Sequence, residues 1–249
     1  MTERLKNKIE DIYQVFSKYS ATDMTGSELW EDKLPIWNKE IFSKPLRELS
    51  DDDLSLYAGK AITTWGNGTD YKHFLPRILE LTAELRPPYE IDIAFYKMKI
   101  AEFKNWSEEE QNLIDEFMLA LWESIVNDND RKAEFEFNSY FSAIIVYYPN
   151  FTDLLEIWKV AESKGAIKHL ANFIVKDSHL LFKGRGLLED KPNKQNEFTN
   201  WLLSDFNLEK LQRKYFEFES EQFAEKISWA EKIIEIERKN NPHNKTYEQ

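Results

Sequence analysis

Hydrophobic residues recur along this chain with the three-and-four spacing of a helix face almost from end to end. Leu5, Ile9, Ile12, Phe16 and Tyr19 step by 4, 3, 4 and 3, which puts them on one stripe of a first helix ending near Ser20. Residues 21–45 are looser. Gly26, Pro35 and Pro45 punctuate three large anchors, Trp30, Trp37 and Phe42, and predict a short helix with an extended lead-in packed on the body. Ser50 followed by three Asp is a helix start, because the hydroxyl accepts an orphan N–H and the carboxylates suit the positive end of the dipole. Leu54, Tyr57, Ala58, Ala61, Ile62 and Trp65 then form one apolar face, closed by a turn at Gly66, Asn67 and Gly68. Phe74, Leu75, Ile78, Leu79, Thr82 and Leu85 predict the next helix over 69–85, with Pro76 either kinking it or marking its first turn.

Residues 89–105 carry both periods, and the reading adopted is a helix over 91–104. Ser107 with Glu110 three residues on is a capping box ahead of Leu113, Ile114, Phe117, Met118, Leu121, Trp122 and Ile125. A break at Asn127–Asp130 precedes a helix with Phe137, Tyr140, Phe141, Ile144, Ile145 and Tyr148, which Pro149 ends. Thr152 is expected to cap a helix with Leu154, Leu155, Trp158 and Ala161, and Gly165 to interrupt before Ile167, Leu170, Ala171 and Ile174 continue. Residues 183–196 form the most loop-like stretch. Helices around Phe198–Leu203 and Leu208–Phe218 follow, then a last helix from about Glu219 to Lys239, with Phe223, Ile227, Ala230 and Ile234 beside Trp229, Ile233 and Ile236. The end of the chain, 241–249, reads as frayed.

This pattern predicts an all-α fold, an irregular array of stacked antiparallel helix pairs in which HEAT-like α-α superhelical stacking is the natural arrangement. No repeat period is present, which favours the irregular array over a true solenoid. The chain is expected to form one domain over 1–249, with an N-terminal helix and packed extension (1–44), a main body (45–205) and C-terminal helices (206–240). Composition supports the class, since 7 Gly and 8 Pro in 249 residues leave few of the turn positions that a many-stranded sandwich needs. With no Cys, disulfides, thiolate metal sites and cysteine nucleophiles are excluded, which fits a reducing, cytoplasmic setting. The opening MTERLKNK lacks the apolar stretch of a secretory signal, and the apolar run at 143–148 is far too short to span a bilayer. Neither a membrane nor nucleic acid is an expected partner, because a net charge of −12 repels phosphate at long range.

Three segments carry a resemblance: PLRELSDDDLSLYAGKAITTWGNGTDYKHFLPRILEL from Pro45, KNWSEEEQNLIDEFMLALWESI from Lys104 and LLEIWKVAESKGAIKHLANFI from Leu154. They resemble an uncharacterised bacterial all-helical family with no assigned activity. The resemblance implies a compact helical body over about residues 45–205, and nothing about chemistry.

Two polar groupings are candidate sites. Asp70, His73 and Arg77 step by 3 and 4 along one helix face, where a carboxylate, an imidazole and a guanidinium can bind an anion or exchange protons. The bland alternative is a network that ties the helix to a neighbour. Lys183, Arg185, Lys191 and Lys194 make a basic loop on an acidic protein, a candidate binding loop whose alternative is a plain connector. No metal-ligating spacing, glycine-rich phosphate loop or catalytic motif is present, so no metal or cofactor is expected. The missing motifs weigh against an enzyme. The functional expectation is an acidic protein-interaction module with a basic protein partner, one specific form being an immunity-type antidote to a cationic bacterial toxin. An enzyme or anion-binding protein using the Asp70, His73 and Arg77 face is the alternative.

Overall fold

The computed structural model describes residues 1–240, so the frayed tail expected at 241–249 lies outside the described residues. Among these residues the chain is all-helical, with thirteen α-helices, three 3-10 turns and no strand, as the spacing implied. No helix among them is long and apolar enough to cross a membrane. The chain packs as two compact units, residues 1–125 with 138–149, and residues 126–137 with the chain from residue 150 onward.

The first unit holds α1 (Glu3–Phe16), α2 (Leu34–Ile41), α3 (Asp51–Lys60), α4 (Gly68–Ala83), α5 (Ile91–Ile100), most of α6 (Glu108–Asn127) and the latter part of α7 (Arg131–Tyr147). Helix α1 lies along α4 and buries Leu5, Ile9, Ile12 and Phe16. Burying each such side chain contributes about 1.5–3 kcal/mol, so this stripe, more than the propensity of a charged helix, holds α1 in place. Helix α4 starts eight residues ahead of Pro76, which therefore lies inside the helix and does not mark its first turn. Helix α5 ends at Ile100, short of the expected 104, and a 3-10 turn at Phe103–Asn105 follows. The capping box at Ser107 forms as the sequence suggests, and the helix start at Ser50 proves to be a capping box as well. Asp53 N donates to Ser50 Oγ at 3.1 Å while Ser50 N donates to the Asp53 carboxylate at 2.8 Å.

Helix α3 ends earlier than its apolar stripe suggests. The chain leaves the helix after Lys60, and Ile62 takes a left-handed φ of 68°, a conformation that a β-branched residue rarely adopts. The buried ammonium of Lys97, on α5, donates to the Ala61 carbonyl at 2.7 Å and to Thr63 Oγ1 at 3.1 Å. That long-range contact takes the acceptor a further helical turn would use.

The second unit holds α8 (Phe151–Val160), α9 (Lys164–Lys176), α10 (Ser178–Leu181), α11 (Pro192–Leu202), α12 (Asp205–Glu217) and α13 (Ala224–Asn240), with α13 packed along α9 and α12. Several expectations are corrected here. Asn150 occupies the N-cap of α8, and Thr152 Oγ1 instead donates to Glu197 at 2.7 Å. Gly165 lies within the first turn of α9, not between helices; a Cβ there would sit 2.5 Å from the Asp128 carbonyl, so the glycine permits close approach. The expected loop ends at Lys191, because Pro192, whose φ is preset for a first helical position, opens α11. Helix α13 starts at Ala224, five residues later than expected, and leaves Trp229 and Ile236 exposed. On α12 the buried positions include Asn207, Lys210 and Lys214 beside Leu211, so its inner face is not wholly apolar.

Candidate interaction site

Asp70, His73 and Arg77 do share a face of α4, and each is engaged with the scaffold. The Asp70 carboxylate accepts from Asn67 N at 2.8 Å, completing the capping box that starts the helix. His73 Nδ1 lies 3.1 Å from the Tyr19 carbonyl, which makes that nitrogen the donor. Arg77 donates through Nε to the Leu49 carbonyl at 2.7 Å and through its terminal nitrogen to Glu80 at 2.6 Å. Glu80 also accepts from Tyr13 of α1, whose ring lies under the Arg47 guanidinium at 3.7 Å. A small crevice in this unit, with room for about one water, is lined by Ala58, Tyr71, Ile78, Pro87, Pro88, Tyr89, Glu90 and Ala94, and by none of the three.

In the second unit Lys183 and Arg185 are exposed on the loop between α10 and α11, with Glu189 and Asp190 beside them in the chain. Lys191 occupies the N-cap of α11, and Lys194 lies within that helix, its ammonium 5.6 Å from the Phe151 ring. The four cations are thus split between a loop and a helix. His169 is buried, stacked on Phe137 at 4.2 Å, and donates from Nε2 to the Asp128 carbonyl at 2.9 Å. Burial pushes its pKa down to about 4, so it stays neutral at ordinary pH. Among the described residues no three His, Asp or Glu side chains converge in metal-ligating geometry.

Sequence reasoning missed the most heavily built polar cluster. Glu110, the capping-box residue of α6, is 1% exposed and pairs with Lys72 at 2.8 Å and Lys18 at 2.9 Å, while Tyr19 donates its hydroxyl proton to the same carboxylate. Lys72 also lies over the rings of Trp106, at 4.2 Å, and Tyr19, at 4.7 Å. Burial alone would raise the Glu110 pKa, but the donors from Lys72, Tyr19 and Lys18 outweigh it and hold the group at about 2.

The exposed candidate lies elsewhere in the same unit, on residues 23–40. Thr25–Ser27 pairs with Thr64–Gly66, through Ser27 N to the Thr64 carbonyl at 2.9 Å and Gly66 N to the Thr25 carbonyl at 2.7 Å. Only glycine fits at position 26, since a Cβ there would lie 2.2 Å from the Thr64 carbonyl oxygen. This pairing brings Trp65 under α2, where its indole N–H donates to Asn38 at 2.9 Å, and Asn38 in turn donates to Asp23 and to the Met24 carbonyl. The rings meet in an outward series: Tyr57 edge-on to Trp65 at 5.3 Å, then tilted contacts from Trp65 to Trp37 at 5.4 Å and from Trp37 to Trp30 at 5.6 Å. At the outer end Trp30 is 39% exposed, beside Leu29 at 87% and Ile36 at 51%. Asp23, Glu28, Glu31, Asp32 and Glu40 are all exposed on this stretch, against two exposed lysines, Lys33 and Lys39. The sequence showed the tryptophan anchors but not their outward series, which depends on Trp65 and Asn38 meeting across the fold.

No family model, curated protein or solved structure matches the chain.

Proposed function

We propose that this protein is an acidic interaction module that binds a basic protein partner through the face of residues 23–40. The observation that carries the reading is three exposed apolar side chains, Leu29, Trp30 and Ile36, on a stretch with five exposed carboxylates and two exposed lysines, Trp30 being the outer member of a series of ring contacts. Interfaces use aromatic anchors at their centre, and surrounding charge speeds encounter with an oppositely charged partner. The series keeps Trp30 oriented before binding, which reduces the ordering cost that association otherwise carries. The net charge of −12 adds steering at longer range. An intracellular antidote to a cationic toxin is one form such a module takes.

The test is affinity capture with the wild-type chain and with a Leu29→Ser/Trp30→Ala variant, followed by reconstitution of any captured protein in purified form. The expected result is a basic protein that binds wild type, loses affinity as salt rises from 50 to about 300 mM, and is lost by the variant. Equal binding by the two forms overturns the assignment of this face. Turnover of a small molecule that depends on His73 would favour the enzyme reading instead.

A further inference from the structure

The outer end of the aromatic series already holds a cation. Lys60, the last residue of α3, places its ammonium 4.4 Å from the Trp30 ring centre and 5.2 Å from that of Trp37. The two rings are tilted by 38°, so the ammonium meets two π-faces, the arrangement by which aromatic surfaces recognise lysine, arginine and quaternary ammonium groups. Lys72 sits between two rings in the same way, but Glu110 and the Tyr19 hydroxyl pin it there. Lys60 differs: among the described residues it has neither an ion pair nor a side-chain hydrogen bond, and ring faces alone hold its charge. A cation presented by a partner would meet the same faces, with Glu28 and Glu31 exposed beside Trp30 in the chain to draw it in, while Asp32 is already paired with Lys33 at 3.3 Å. The resident ammonium therefore gives up no ion pair or hydrogen bond when it leaves.

We infer that the Trp30–Trp37 pair is a seat for a lysine or arginine side chain of the basic partner, with Lys60 as its placeholder in the free protein, displaced on binding. The inference rests on the reading of residues 23–40 as the partner-binding face. It also states how that face selects its partner. A partner must present a protruding cation next to apolar surface, so that Leu29 and Ile36 are covered as the cation enters. Charge by itself, without a side chain able to reach the rings, is not sufficient.

The test uses the full chain and two probes, tetramethylammonium chloride and a tri-arginine peptide, each compared with sodium chloride at equal ionic strength. Indole N–H resonances of Trp30 and Trp37, assigned with single Trp→Phe variants, report occupancy. The Trp65 indole, buried and bonded to Asn38, is the internal reference. Both probes are expected to shift Trp30 and Trp37 and leave Trp65 in place. Lys60→Met, which keeps the aliphatic stem and removes the charge, should bind them about two- to fivefold tighter, and Lys60→Gln should behave alike. Trp30→Ala should lose the effect. If both Lys60 variants bind no tighter than wild type, or all three indoles move together, the inference is overturned. If the probes bind as expected but a captured partner ignores Trp30→Ala, the seat is real and its assignment to that partner is wrong. If the partner needs Trp30 and the Lys60 variants change nothing, the face stands and the placeholder falls.

Discussion

Glu110→Gln removes one negative charge and changes almost no volume, so it isolates what the buried cluster of the first unit contributes. Glu110 is ordinarily expected to titrate at 4.5 and is held at about 2 in the fold. A depressed carboxylate pKa stabilises the fold at every pH above the unfolded value, and that stability is lost as pH falls toward the folded value. The gap corresponds to about 3 kcal/mol, at 1.36 kcal/mol per pH unit. The side chain is almost wholly buried and Lys72 beside it is mostly so, with side-chain exposures of 1% and 12%, whereas Lys18 is 49% exposed and solvent screens its share, so the figure is an upper one. An independent route gives a similar size, since breaking a buried pair from one side costs about 3–5 kcal/mol because the remaining charge is left without its partner. Glu110→Gln is therefore expected to lower stability by about 3 kcal/mol at pH 7 in urea unfolding followed by tryptophan fluorescence. Near pH 3, where the wild-type chain keeps only the last part of the advantage, the difference should shrink to about 1 kcal/mol. Lys72→Met alone should also destabilise, while the double variant should recover much of the loss, because an apolar replacement of both partners leaves no buried charge. A Glu110→Gln chain within about 0.5 kcal/mol of wild type at pH 7, or a difference that does not change with pH, would refute this account.

Three further outcomes follow from the structure. His169 titrates in the fold at about 4 against an ordinary 6.5, so its stabilisation is complete above pH 6.5 and lost as pH falls to about 4; relative to His169→Gln, wild-type stability should drop by about 3 kcal/mol across that window, read by urea unfolding. Lys210 donates to the carbonyls of Trp158, Lys159 and Ala161 at the end of α8, and burial first of all lowers its pKa to about 8. Because the folded value lies below the unfolded 10.5, wild type should gain about 3 kcal/mol over Lys210→Met between pH 8 and 10.5, and a flat difference would count against the buried ammonium. Gly26→Ala should force Thr25–Ser27 away from Thr64, lower stability by about 1–3 kcal/mol and weaken the near-ultraviolet circular dichroism of the tryptophans in contact.

Helical spacing made the all-α class legible because each stripe reports a face that must be buried, whatever it is buried against. It reported the face of α1 as far as Phe16 and that of α4 as far as Thr82, though not Tyr19 and Leu85, which lie beyond the helix ends, and it reported the caps at Ser50 and Ser107, because these depend on residues three or four apart. It failed where a distant polar group decided the outcome. The apolar series from Leu54 continues in register through Ala61, Ile62 and Trp65, so nothing local ends the helix at Lys60. The Lys97 ammonium on the Ala61 carbonyl does, together with Asn38 on the Trp65 indole, and these contacts span 36 and 27 residues.

The same limitation explains why the sequence drew attention to Asp70, His73 and Arg77 and passed over residues 23–40. A polar triad at helical spacing is visible in one segment, but whether its groups are engaged depends on Tyr19, Leu49 and Glu80, and only Glu80 lies within reach of a local rule. The outward tryptophan series is the converse case. Trp30 and Trp37 are seven residues apart, yet their orientation comes from Trp65, and the cation between them comes from Lys60, beyond any helical spacing. Gly26 is what allows these segments to meet, since its missing Cβ leaves room for the Thr64 carbonyl. A single added methyl group there tests whether orientation of Trp30 matters for binding. If Gly26→Ala keeps the fold but loses the partner while Leu29, Trp30 and Ile36 remain in the chain, exposure and charge alone are insufficient and the preformed series of ring contacts is the functional element.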